Sequence, residues 1–505
     1  MTETLPPNSA CERCELCTKF EPKSVNISGR RIGKRNPEKV VLILSQSPGS
    51  EEDKADKVFV GKSGELLTEG LAAAGLTDAF ITNPVRCYVK TGVTMKPAWV
   101  KACRPYLDGE LEMLGFGQDD GVERFILALG NTALMSTLKR ANVLEAEGKE
   151  QWSEDLKAWV FPLRHPAAVL RAMGEKNGWL LNFARFGRLV RGDLLEKPPV
   201  KVDIAWSLPE VYDFAEKLSN AERFTYDWEA KPVPWWHKDF VPYTIAFSME
   251  EGHSTVVPLL HPESPFEGDE VEQIISALGE FMQKKRPKKA PWNGVYDDLV
   301  FYRLTGLLPW MNYDPMAAWH AIDENSPKSL KWNTRARLGW PDYDIGAGHD
   351  LAERDIEEVM VYNGYDSAGT LCLWEMAEAE LARMPRVESY VNRQVMPMIR
   401  SLERMVARGV HINRRVLKER IRIVSREMRR TRALVPVENP GSPKQIAHWL
   451  YDQESLPILK LTKAGAPSTD EETVKKLALR FPTVRRVLDY RRPAKNLGKI
   501  GRAHV

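Results

Sequence analysis

No apolar run in this chain of 505 residues approaches the roughly 20 needed to cross a bilayer. The first ten residues are polar and proline-rich, so no basic-then-apolar leader opens the sequence, and we expect a soluble intracellular protein without a membrane partner. Cysteine is scarce, at six residues, and inside a cell disulfides are not expected. Net charge is also nearly absent, at +3. That balance hides an asymmetry, because residues 385–499 hold 26 Lys and Arg against 11 Asp and Glu while the rest is net acidic. A basic excess of this size points to a polyanion, nucleic acid above all.

The length suggests roughly three domains. Residues 40–45, 79–83, 125–129 and 159–163 are short strand candidates, each followed by a helical stretch, which argues for a parallel sheet with its chemistry at the strand C-termini. Residues 195–203, with two consecutive prolines, look like a linker. Strands at 224–227, 243–248 and 254–260 then lie close enough for an antiparallel meander, with helices beyond. A mostly helical region begins near Pro385. The expected class is α/β multidomain, with domains at 1–195, 204–384 and 385–499 and a linker at 196–203.

Three patterns fall in order in the middle of the chain: Asp227-Trp-Glu229, Asn293-Gly-Val-Tyr-Asp297 and Tyr362-Asn-Gly-Tyr-Asp366. Strand alternation puts Asp227 and Glu229 on one face. Asp297 follows Asn293 at helical spacing, and Tyr362 and Asp366 stand at i and i+4 on another helix. Four carboxylates and a tyrosine are what phosphodiester hydrolysis by two hard cations needs. Together with Asp314-Pro-Met-Ala-Ala-Trp and Ser329-Leu-Lys-Trp, these segments resemble the proofreading 3′-5′ exonuclease of family A DNA polymerases, a DEDDy domain on a ribonuclease-H-like fold. The resemblance implies that Asp227, Glu229, Asp297 and Asp366 hold two Mg2+ or Mn2+ ions, that Tyr362 orients the attacking water, and that Asn293 meets the substrate. Trp228 stands where the family has a small residue, and its side chain is expected to point away from the metals.

Cys11, Cys14 and Cys17, with Cys87 and Cys103, are too concentrated for packing alone, and four thiolates suit zinc or an iron-sulfur cluster. Ser45-Gln46-Ser-Pro-Gly49, Val58-Phe59-Val-Gly61-Lys-Ser-Gly64, Thr82-Asn83-Pro-Val-Arg-Cys87, Leu129-Gly130-Asn131 and Arg164-His165-Pro166 resemble family 4 uracil-DNA glycosylases, an α/β/α fold. By that resemblance Cys11, Cys14, Cys87 and Cys103 bind one 4Fe-4S cluster, Cys17 is extra, and Cys372 is an inert core thiol. Phe59 would stack on a flipped uracil, Asn83 would pair with its edge, and His165 would donate to the developing oxyanion at O2. The family has Glu where this chain has Gln46, and a Pro-Pro-x-Asn-Arg run is replaced after Tyr88. A neutral amide can position a water but cannot take its proton, so excision should be slowed. A front domain that only binds DNA or uracil is the alternative.

Segments from Ile399 to Lys495 resemble the link from exonuclease to polymerase in family A enzymes, a helical start of the thumb. No palm or fingers follow, so polymerase activity is not expected of this chain. Residues 500–505, Ile-Gly-Arg-Ala-His-Val, read as translated sequencing adapter. The expected whole is part of a phage-like replication and repair enzyme of the bacterial or phage-infected cytoplasm, acting on single-stranded 3′ ends, primer-template and uracil-containing DNA.

Overall fold

The computed structural model describes residues 11, 13–90, 92–346, 350–462 and 465–502, so the opening decapeptide and residues 503–505 lie outside it. The chain divides into two compact units, Met1–Ala407 and Arg408–Val505.

The first unit holds two sheets. Strands β1 (Arg30–Ile32), β2 (Lys39–Leu44), β3 (Ala79–Thr82), β4 (Glu123–Leu129), β5 (Gln151–Ser153) and β6 (Ala158–Leu163) pair in the order β1-β3-β2-β4-β6-β5. The four central strands are parallel, and the short edges β1 and β5 run antiparallel. Near-continuous apolar runs in β2 and β4 are explained by burial on both faces. Val41, Ile43, Phe125, Leu127, Phe161 and Leu163 face one core, which includes Leu67 and Leu71 of helix Lys62–Ala74 and Phe183 and Phe186 of helix Lys176–Arg191. Val40, Leu42, Leu44, Ile126, Ala128 and Val160 face the other, against Leu107 and Leu111 of helix Pro97–Met113.

The second sheet is β11-β8-β9-β10-β7, from β7 (Lys201–Ile204), β8 (Arg223–Ala230), β9 (Pro242–Ser248), β10 (His253–Pro258) and β11 (Lys288–Lys289). Strands β8, β9 and β10 form the antiparallel meander, while β7 and β11 join its edges in parallel. Strand β7 corrects the expected linker, because residues 201–203 pair with β10 and Val202 packs beside Val256 and Met360. Helix Ile356–Ala382 lies on one face, where a Cβ on Gly364 would come within 2.6 Å of Ser254 Oγ. Helices Leu208–Asn220 and Gly268–Met282 cover the other, and Trp228 packs among their apolar residues. Val391 and Met396, in the region expected to start the third domain, share a core with Trp292, Tyr313 and Trp374 of the first unit.

The second unit is helical. Helices Arg414–Arg432, Pro443–Ala447, Glu471–Arg480 and Arg485–Arg502 accompany a small core of Val435, Ile446, Trp449, Leu450, Val474, Leu477, Val484 and Val487.

Candidate active sites

Parallel strands deliver loops to one edge, and the first candidate site lies at the C-terminal ends of β2, β3, β4 and β6. Ser45 follows β2, Asn83 follows β3, Gly130 follows β4 and His165 follows two residues after β6. His165 Nδ1 accepts from the Ala167 N–H at 3.1 Å, which places the ring proton on Nε2, 2.7 Å from Ser45 Oγ. Burial, helped by the Arg171 charge, pushes the His165 pKa down to about 4, so the ring is a neutral donor at physiological pH. Gly130 has φ +89, and its absent side chain leaves room for His165, whose Cβ would be 3.4 Å from a Cβ there.

Phe59 adopts φ +52, a left-handed conformation that costs a non-glycine residue free energy. Buried Glu52 holds it there, one carboxylate oxygen accepting from the Phe59 N–H and the other from the Gly49 N–H. A Cβ on Gly64 would strike the Phe59 carbonyl oxygen at 2.4 Å, so glycine is required for this approach. The Phe59 ring lies near-parallel to His165, at 27° and 6.2 Å between centroids. Asn83 is 2% exposed, and neither its Oδ1 nor its Nδ2 has a hydrogen-bond partner. Gln46 is half-buried beside Ser45, its backbone carbonyl accepting from the Val85 N–H.

The cysteines form a second cluster, which includes Cys87 on the same loop as Asn83. Cys11, Cys14, Cys87 and Cys103 are free thiols, the charges of Cys11 and Cys14 disfavour ionisation of Cys87 and Cys103, and Leu16, Val85, Val89 and Trp99 pack with Cys14, Cys87 and Cys103. Burial pushes Cys87 up to about 12 and Cys103 up to about 11. Three buried thiols and the half-buried Cys14, set among apolar residues, fit a cationic metal or cluster, whose charge would favour the thiolates. Cys17 turns its Sγ to the Cys14 carbonyl at 3.3 Å. Cys372 is half-buried on helix Ile356–Ala382, its pKa raised to about 12 by burial.

The second candidate site is acidic. Asp227 and Glu229 project from β8 toward Asp366 of helix Ile356–Ala382, and the three offer carboxylate oxygens within 4.8 Å of one another. Asp297, on helix Val295–Thr305, accepts from the Trp228 N–H at 3.2 Å, and its charge acts on Asp227. Burial first, then mutual repulsion, raises all the pKa values that move: Glu229 and Asp297 rise to about 8, and Asp227 rises well above the carboxylate range. The Lys331 charge offsets this repulsion only in part, and hard divalent cations fit the set. Asn293 departs from expectation. Its φ of +56 puts it before the helix, so it does not share a helical face with Asp297. Its N–H donates to Asp314 Oδ1 at 3.2 Å. Tyr362 is buried on the helix that carries Asp366.

Three further residues complete this centre. Lys331 pairs with Asp366 and places Nζ 3.9 Å from the centroid of the Tyr362 ring. Tyr343 donates to Asp366 Oδ1 at 2.8 Å, and Asn363 Nδ2 donates to Asp227 Oδ2 at 2.7 Å while its own oxygen accepts from Thr244. Lys331 stands in the Ser329-Leu-Lys-Trp segment, and Asn363 adjoins Tyr362, but nothing in the residues around Tyr343 signalled it.

Known proteins of two kinds are similar to this chain. Residues 32–185 match the family model described as the uracil DNA glycosylase superfamily. The type-4 uracil-DNA glycosylase of Pyrobaculum aerophilum is 33% identical over 186 residues, 35% of this chain and 87% of that protein. Through this first domain the chain belongs to the uracil-DNA glycosylase superfamily. A DNA polymerase of Bacillus phage SP01 is 21% identical over 94% of this chain, and DNA polymerase I of Pseudomonas aeruginosa is 25% identical over 65% of it. A region like family A DNA polymerases thus covers most of the sequence. The chain spans 59% of the phage protein's length and 38% of the bacterial one's.

Proposed function

We propose that this chain is a DNA replication and repair enzyme that trims 3′ ends by metal-dependent hydrolysis and carries a domain that reads and slowly excises uracil. The observation that carries the first activity is the convergence of Asp227, Glu229 and Asp366, with Asp297 beside them. The meander with its parallel fourth strand is read as ribonuclease-H-like. Asp227, Glu229, Asp297 and Asp366 would hold two Mg2+ or Mn2+ ions, which supply an activated water and neutralise charge at the scissile phosphate. Asn363 fixes the rotamer of Asp227, and Tyr362 is available to orient the water. The relatives are DNA polymerases, which favours DNA as the substrate, and its single-stranded 3′ end is taken to be the part that reacts.

In the first domain the orphaned amide of Asn83 supports recognition of a base edge, because a buried amide without partners costs stability unless a ligand completes it. Phe59 offers a ring face, and neutral His165 offers Nε2–H to O2 of a departing uracil. Bond cleavage leaves a sugar cation and uracil anion, and water adds to the sugar. Gln46 can orient that water but not deprotonate it, which lowers the rate by roughly 10² to 10⁴ relative to a carboxylate. Cys11, Cys14, Cys87 and Cys103 would hold a 4Fe-4S cluster.

The test uses a 5′-labelled single strand with one internal uracil, protein purified without oxygen, and EDTA to silence hydrolysis at the acidic site. Hot alkali should then give one band at the uracil, and excess Mg2+ should start 3′ trimming. Absence of the band, with trimming intact, would reduce the first domain to a binding module. Absence of trimming, with Asp366→Asn behaving as the parent, would overturn the exonuclease reading.

A further inference from the structure

The loop at 339–344 touches both folds of the first unit. On one side, Arg185 of helix Lys176–Arg191 donates to the Trp340 carbonyl at 2.8 Å, and Lys149 pairs with Asp342 at 2.6 Å. Both cations belong to the glycosylase-like domain. Arg185 is 1% exposed and is itself held by Glu150 at 2.7 and 3.0 Å. On the other side, Tyr343 donates to Asp366 Oδ1 and sets its ring against Tyr362, 6.3 Å between centroids, and Tyr365, 5.5 Å. Glycines make the junction close. A Cβ on Gly339 would meet Arg188 Nη1 at 1.8 Å, and one on Gly369 would meet the Trp340 ring at 3.1 Å.

We propose that Tyr343 is a positioning residue of the acidic centre and that the glycosylase-like domain, through Lys149 and Arg185, holds it in place. The inference rests on the exonuclease reading. A carboxylate whose Oδ1 accepts from Tyr343 and Lys331 has its rotation fixed, so its remaining lone pairs keep one direction toward Asp227 and Glu229. Arg185 anchors the start of the loop by its backbone and Lys149 anchors Asp342, one residue from the tyrosine. The ring of Tyr343 packs against Trp340, Tyr362 and Tyr365. Divalent-ion affinity at the acidic centre is therefore set in part by residues of the neighbouring domain, outside the carboxylate set.

The experiment measures Mn2+ binding to the full chain by electron paramagnetic resonance without DNA, alongside kcat and KM for 3′ trimming. Tyr343→Phe keeps the ring and removes the donor. It should weaken Mn2+ binding by roughly tenfold, the scale of a hydrogen bond to a charged group, and raise the Mg2+ needed for half-maximal kcat without raising KM for DNA. Lys149→Glu should move the same two quantities by about two- to fivefold, the scale of an exposed ion pair. Lys149→Arg should keep both at the parent values, because it preserves the charge that faces Asp342. Unchanged Mn2+ binding in Tyr343→Phe would overturn the positioning role, and unchanged Mn2+ binding in Lys149→Glu would overturn its control by the first domain. If Asp366→Asn also leaves Mn2+ binding unchanged, the metal reading itself fails, a result distinct from either.

Discussion

Replacing Asn83 by leucine should make the free protein more stable and blind it to uracil. The side chain is buried at the end of β3 with both polar atoms unpaired. Leaving a buried amide unsatisfied costs about 1–3 kcal/mol, and leucine of similar shape removes the cost. Taking about 2 kcal/mol, and 2–4 °C per kcal/mol for a cooperative unit of 150–250 residues, Asn83→Leu should raise the melting temperature by about 4–8 °C. The same 2 kcal/mol lost from the bound state weakens binding roughly 30-fold. Scanning calorimetry reads the first quantity. Anisotropy of a labelled strand containing 2′-fluorodeoxyuridine, which resists cleavage, reads the second. A fall in melting temperature with unchanged binding would show that Asn83 is a structural turn residue and that the base-reading argument is wrong.

Gly64→Ala should cost roughly 1–3 kcal/mol and weaken uracil binding, because its Cβ meets the Phe59 carbonyl rather than a side chain that can yield. Gly109→Ala, on helix Pro97–Met113 with nothing within 4 Å of its Cβ, should instead gain about 0.5–1 kcal/mol; urea melts of the two variants check the contrast. Without divalent ions, stability of the first unit should fall as pH rises from about 4.5 to about 8. Glu229 and Asp297 titrate near 8 when folded but in the ordinary carboxylate range when unfolded, so unfolding releases protons across that window. Excess Mg2+ should flatten the slope, and a pH-independent melting temperature in EDTA would contradict the assignment. Cys87→Ser should abolish the visible absorbance of protein purified without oxygen and lower its melting temperature, whereas colourless parent protein with stoichiometric zinc would replace the cluster by a zinc site.

The four central strands of the first sheet and the meander of the second were legible because each is an apolar run, and Trp228 between two acids told which face was core. Edge strands β1, β5, β7 and β11, two to four residues long, carry too little pattern, and β7 was hidden in a stretch that two prolines made look like a linker. Spacing put Asp227, Glu229 and Asp366 on elements that bring them together, but Asn293 could not be placed, since its left-handed turn is joined to Asp314 twenty-one residues on. Tyr343 was invisible for a related reason. Its role is made by Lys149 and Arg185, which lie more than 150 residues earlier and carry no local sign of each other.

The buried Arg185 has a consequence for taking the protein apart. Its guanidinium is shared between Glu150 on its own side and a carbonyl across the junction, and Gly174 and Gly178 accept Asn325 and Trp332 into the same seam. A protease cutting at 196–199 would sever the peptide without parting the fragments, which should co-elute on gel filtration. Expressing the first 195 residues alone would strip Arg185 of a partner and bare the glycine notch to water. Solubility of that excised piece is thus a poor guide to how well the domain folds in its native setting.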